Sequence, residues 1–227
     1  MRLTRRRRVR YPAALMPRRR SPAPRDTRST RDRILDVAGR HFAERGFAGA
    51  SVRQIATEAG LRNQASLYHH FRNKRALYEA ALARGIEPIL TLVTESRADG
   101  TLGADMVERL VAYLAAHPHL PRLIHRLGLE DRRYLPSVVP RVIRPLYAEG
   151  VKALARQRPT WNAATLPHVA IGFYHLIFGY FVSAPLLEAA LDLDAMDPAA
   201  VRRQQTFVRE ALTRLVGPSR PRRRPSR

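Results

Sequence analysis

The chain has 227 residues, room for one small and one larger domain, with no cysteine and with 41 Lys and Arg against 19 Asp and Glu. The missing thiols exclude disulfides, thiolate catalysis and cysteine-ligated zinc, and they fit a reducing, cytoplasmic setting. A formal charge of +22 favours a polyanionic partner, nucleic acid first and an anionic membrane surface second.

The charge is unevenly spread. Fifteen arginines lie within residues 1–25 and 217–227, stretches with no acid, so +7 of the +22 is left for the rest. Residues 1–28 are rich in Arg and Pro without apolar periodicity and are expected to be a disordered basic arm. Two readings of the arm stand: one that tracks phosphates or enters a minor groove, or a passive tail, even an extension upstream of a start at Met16. It lacks the apolar core of a secretory leader, because Pro12 and Pro17 interrupt the only apolar run, Tyr11 to Met16. Residues 217–227 form a second basic tail.

Thr30 is an N-cap candidate, Asp32 suits the positive first turn, and Ile34, Leu35, Ala38 and Phe42 recur at helical spacing. This gives a first helix that closes at Gly46 on a left-handed C-cap. Ser51-Val52-Arg53-Gln54 has the form of a capping box, in which the Ser hydroxyl and the Gln amide each meet a backbone donor. Ile55, Ala56 and Ala59 then face inward, and Gly60 ends the second helix. Leu61 to Asn63 is a turn. Gln64 to His70 is a third helix, too short to be stable alone, with Ala65, Leu67 and Phe71 as its apolar members.

Two short helices joined by a tight turn make residues 51–71 a helix-turn-helix unit, whose second helix suits the major groove of DNA. Exposed Asn63 and Gln64 can pair with adenine and Arg62 with guanine. Ser51, Tyr68 and His69 suit phosphate oxygens, and Arg53 and Ser66 complete the candidate surface. Asn73 caps a fourth helix, and its first residue, Lys74, sets an ammonium where the helix dipole also attracts a phosphate.

Residues 30–77 resemble the DNA-binding domain of the TetR (tetracycline-repressor-like) transcriptional regulators, in the elements RILDVAGRHFAERGF, SVRQIATEAG and SLYHHFRNKRAL. In one respect they depart from it. Six residues, Leu61 to Ser66, separate Ala59-Gly60 from Leu67-Tyr68 where the family pattern has five. Beyond that insertion, Tyr68, His69 and Lys74 match the family's phosphate-contacting positions. The resemblance implies a repressor that sits as a homodimer on a palindromic operator and leaves it when a small-molecule effector binds.

The expected fold is all-α: a three-helix helix-turn-helix DNA-binding domain at 29–75, followed by a larger helical domain for effector binding and dimerisation at 76–216. Helices are expected near Lys74 to Thr94, Ala104 to Ala116, Leu120 to Leu127, Pro136 to Arg156, Leu166 to Ala190 and Pro198 to Val216. The last carries Val201, Gln204, Val208, Ala211, Leu212 and Leu215 on one stripe, and its neighbour is apolar nearly all round. A four-helix dimer interface built from these two helices of each subunit would cover both. The run Ala163 to Leu187 is long enough to cross a membrane, but Pro167, His168, His175, Ser183 and Pro185 favour a buried helix and no membrane.

Effector candidates in the body are Tyr113, His117, His125, Phe173, Tyr174 and Phe178, with Trp161 and His175 beside them, a mostly apolar set with a few polar groups. Any of them can equally be core. No cofactor or metal is expected: the histidines lack HExxH-type spacing, and Glu130 and Asp131 beside Arg132 and Arg133 read as a solvated loop, not an acid/base pair. The rival to a specific regulator is a non-specific nucleic-acid or membrane-surface binder driven by the Arg tails. The capping and turn chemistry of residues 51–71 argues against that rival, since a polycation has no use for it.

Overall fold

The computed structural model describes residues 29–98, 104–158 and 160–217, so the expectations for the basic arm at 1–28 and for the tail beyond Gly217 lie outside the described residues. Eleven α-helices are found among them: α1 Thr30–Gly49, α2 Val52–Glu58, α3 Gln64–Tyr68, α4 Lys74–Ala98, α5 Ala104–Ala116, α6 His119–Leu129, α7 Leu135–Val138, α8 Arg144–Gln157, α9 Thr165–Val182, α10 Ala184–Leu191 and α11 Pro198–Val216. Among the described residues there is no strand, in keeping with the all-α expectation.

Each early helix starts on a cap. Ser29, one residue before the expected Thr30, accepts the Asp32 N–H at 3.0 Å, and Asn73 accepts the Ala76 N–H at 2.8 Å. Gly46 lies at φ 67, ψ 178. That is not the left-handed C-cap expected but a region essentially closed to other residues, so α1 bends there and runs on to Gly49.

Two long helices expected in the body are broken, both by proline. Pro136 to Arg156 divides into α7, a π-helical turn at Val139–Ile143 and α8, with a 3-10 turn at Arg132–Tyr134 leading into α7. Pro140 and Pro145 supply no N–H to the ladder, and the chain passes them with a wider turn. Leu166 to Ala190 splits at Ser183, where Pro185 at the start of α10 cannot donate back to α9. Asp192, at φ 51, ends α10 in the left-handed conformation.

Two apolar cores lie along α4. The first joins α1, α2 and α3 to the start of α4 through Ile34, Phe42, Ile55, Leu67, Leu77 and Leu82, and recruits Leu123 and Leu127 of α6 with Tyr134 and Val138. The second begins at Ile89 and gathers α5, α8, α9 and α11 around Val111, Leu114, Leu154, Phe178, Phe181 and Val208. Pro88 stands inside α4 between them. The helix ladder loses one hydrogen bond at that point, the place where α4 passes from head to body.

The head is fixed to the body by an aromatic cluster. Phe47 lies 4.3 Å from Tyr134 between ring centroids, and Tyr78 meets Phe42 edge to face at 5.0 Å. Asp131, read from sequence as part of a solvated loop, is instead 4% exposed. It accepts the Phe47 N–H at 3.1 Å and the Tyr78 hydroxyl at 3.2 Å. The reversal has a simple cause: two donors on the head stand where the loop after α6 passes, and a carboxylate there satisfies both.

Candidate nucleic-acid interface and body cavity

The residues expected at the DNA surface lie on α2, on α3, in the turn between them and at the start of α4. Residues 29–75 hold nine basic and four acidic side chains, a net +5 that suits a phosphate backbone. Gly60, at φ 78, makes the corner after α2. α3 spans Gln64–Tyr68, two residues shorter than the Gln64 to His70 expected, because the chain leaves the helix at the His69 C-cap.

Asn63 is the N-cap of α3. Its side-chain oxygen accepts the Ser66 N–H at 2.9 Å and the Ser66 hydroxyl at 3.1 Å, which leaves only its NH₂ donors for a base. Gln64, Ala65, Tyr68 and His69 are exposed along α3, while Leu67 is fully buried and holds the helix to the head. The Gln64 side-chain amide donates to the Tyr68 hydroxyl at 3.2 Å, one turn along. Arg62 is exposed in the turn and Arg53 on α2.

The capping box is half formed. Ser51 accepts the Gln54 N–H at 3.4 Å, but the Gln54 side-chain oxygen accepts from Arg45 on α1 and does not reach back to its own helix. Lys74, half-buried, donates to the Ala48 carbonyl at 3.2 Å and sits 4.9 Å over the Phe47 ring. Burial, and Arg133 to a lesser degree, lowers its pKa, with Asp131 opposing them. Its ammonium therefore ties the start of α4 to the α1–α2 corner and has two donors left. One basic residue missed in the sequence is Arg31, whose guanidinium lies 5.0 Å over Phe71 just beyond α3.

The six effector candidates are not brought together. Phe173, Tyr174 and Phe178 of α9 line an apolar cavity of about 120 Å³ together with Ile89 and Val93 of α4, Met106 and Leu110 of α5, Tyr147 and Gly150 of α8, and Leu212 of α11. Tyr113 and His117 line a different space, a polar cleft of about 750 Å³ between α1, α4, α5 and α6, with Asp36, Arg84 and His119. His125 is exposed on α6 and lines neither. Trp161 is half-buried against the second core and His175 is exposed. Tyr147 escaped the sequence reading, although Tyr147, Gly150 and Leu154 recur at helical spacing on one face of α8.

A short capped helix, exposed on one side and held by one buried leucine on the other, mounted on a basic head beside a separate helical body, has the geometry of a helix-turn-helix unit. Residues 34–81 match the family described as "Bacterial regulatory proteins, tetR family". The HTH-type transcriptional repressor SCO4008 of Streptomyces coelicolor is 35% identical over 108 residues, 48% of this chain and 54% of that protein. The HTH-type transcriptional repressor KstR2 of Rhodococcus jostii is 35% identical over 95 residues, 40% of this chain and 46% of that protein. The chain thus spans about half the length of these curated relatives.

Among solved structures, a transcriptional regulator from Aquifex aeolicus gives a TM-score of 0.58 at 21% identity, over 82% of this chain and 99% of that one. A regulator from Saccharomonospora viridis in complex with choline gives 0.57 at 17% identity, over 82% and 96%. At these identities the structural likeness concerns the fold. Over residues 34–81 the chain is thus similar to the tetR family of bacterial regulatory proteins, and the curated relatives that share this region are HTH-type transcriptional repressors.

Proposed function

We propose that the chain is a cytoplasmic transcriptional repressor that binds a palindromic operator as a homodimer and leaves it when a small molecule enters the apolar cavity of the body. The observation that carries the reading is α3, capped by Asn63 and presenting Gln64, Tyr68 and His69 to solvent. Gln64 with Arg62 reads base edges; Ser51, Arg53, Ser66, Tyr68, His69 and Lys74 hold phosphates and fix register. The repressors SCO4008 and KstR2 support the sign of regulation.

Dimerisation is supported by what the last helices leave uncovered. Ile171 is 38% exposed on α9, within a stripe that also holds His168, Gly172 and His175, and Phe207 and Leu215 of α11 are each 53% exposed. α9 is apolar enough for a membrane span, yet its other face packs on α5, α6 and α8. A second copy, covering the outward stripe, leaves the chain in water. The ligand step is supported by α4, which lines the cavity with Ile89 and Val93 and the head with Leu77 and Tyr78. A ligand that favours one setting of α4 shifts the spacing of two heads, provided its affinity differs between the two states.

Genomic fragments captured by the full chain at about 0.15 M salt, where loose phosphate binding is weakened, provide the templates for the test. Run-off transcription from those that carry a promoter is expected to fall as protein is added. Transcription that rises instead would make the chain an activator.

A further inference from the structure

We propose that the body cavity takes a small neutral molecule on the scale of a single ring or a short chain, an alcohol, ketone, lactone or phenol, whose one polar group hydrogen-bonds the hydroxyls of Tyr147 and Tyr174. The inference rests on the reading of this cavity as the effector site and adds the chemistry of what enters it.

Size comes first. A cavity of about 120 Å³ is close in size to one of about 150 Å³ that takes up a benzene ring. Charge comes next. Among the described residues that line the cavity there is no Asp, Glu, Lys, Arg or His; the walls are aliphatic and aromatic side chains with two phenols. An ion leaving water for such a space loses its hydration without meeting an opposite charge. The phenols report the same penalty on a negative charge: burial pushes Tyr147 up to about 12 and raises Tyr174 as well. A ligand carboxylate would face it too.

The polar group has two candidate partners. Tyr78, Tyr113 and Tyr180 donate to the Asp131 carboxylate and to the carbonyls of Gly85 and Ala195. The hydroxyls of Tyr147 and Tyr174 meet no hydrogen-bond partner among the described residues, and their rings lie 6.2 Å apart. A hydroxyl or carbonyl oxygen is the group that satisfies them at no cost in charge. Gly150 opens the remaining side, because a Cβ built on it meets nothing within 4 Å.

The test is calorimetric titration of the full chain with 1-octanol, octane, octanoate, octylammonium and choline at neutral pH. Octanol is expected to bind about two- to tenfold more tightly than octane, the range of one ordinary hydrogen bond, and at least tenfold more tightly than the three ions. Tyr147→Phe with Tyr174→Phe removes the preference for octanol over octane while octane still binds. Gly150→Leu fills the cavity and abolishes octanol binding, with its melting temperature as the check on folding. Octanoate binding as tightly as octanol, choline binding more tightly, or no saturable octanol binding overturns the proposal. Release of bound DNA is measured separately, so octanol that binds and leaves DNA affinity unchanged removes the effector reading while the ligand class stands.

Discussion

Asp131 accepts two hydrogen bonds from the head while lying in a loop of the body. Asp131→Ala leaves the Phe47 N–H and the Tyr78 hydroxyl unsatisfied, and the expected loss is about 2–4 kcal/mol of stability. Urea unfolding measures it; a loss below about 0.5 kcal/mol would mean that water replaces the carboxylate. His119 of α6 is held neutral in the cleft, mainly by burial and then by His117 and Arg40, its pKa brought from 6.5 to about 4. A folded value below the unfolded one gives stability that is complete above pH 6.5 and lost as pH falls toward 4. The loss amounts to about 2–3 kcal/mol for a group this partly exposed. The acids Asp32, Glu58 and Glu79 are also lowered and act in the same direction, so the check is a difference. Thermal melts of His119→Gln should depend less steeply on pH across that window than those of the parent. Neither role was legible beforehand: Asp131 stands among charged neighbours in sequence, and its two donors come from residues 84 and 53 positions away.

The helices of the head were legible because their caps and breaks are local chemistry. Gly60, Asn63 and Asn73 each sit where a cap or a turn was expected, Gly46 marks a bend where a C-cap was expected, and the apolar periodicity of α1 and α2 points inward as read. In the body, periodicity runs through Pro140, Pro145 and Pro185 without registering that the ladder fails there, which is why two long helices became several shorter ones. The cavity was legible only in part for a related reason. Which aromatic residues share a space depends on how α5, α8 and α9 cross, and spacing within one helix does not contain that. Gly46→Ala tests the bend in α1. A Cβ there meets the Arg126 guanidinium at 2.9 Å on a backbone that other residues avoid. The expected cost is about 1–3 kcal/mol in thermal or chemical melts, and an unchanged melt would show that α1 straightens freely.

For the molecule as a whole, the exposed stripe of α9 decides between a single copy and a pair. Ile171→Glu puts a charge where a second copy is expected to pack, at little cost to a lone chain because the residue is already 38% exposed. Sedimentation should find the parent dimeric and the variant monomeric at the same concentration; two identical profiles would move the interface elsewhere. The distribution of charge bears on DNA in the same way: the head alone carries +5, and the two ends hold fifteen arginines, a charge of the kind that gives salt-sensitive affinity without sequence preference. The two contributions separate in one measurement, selection of bound duplexes from a random DNA pool by the full chain at about 0.15 M salt. A palindromic consensus with half-sites about one turn, ~34 Å, apart is the outcome expected of a dimer that reads DNA with α3. Recovered duplexes with no shared sequence would contradict it and assign the binding to the arginine-rich ends.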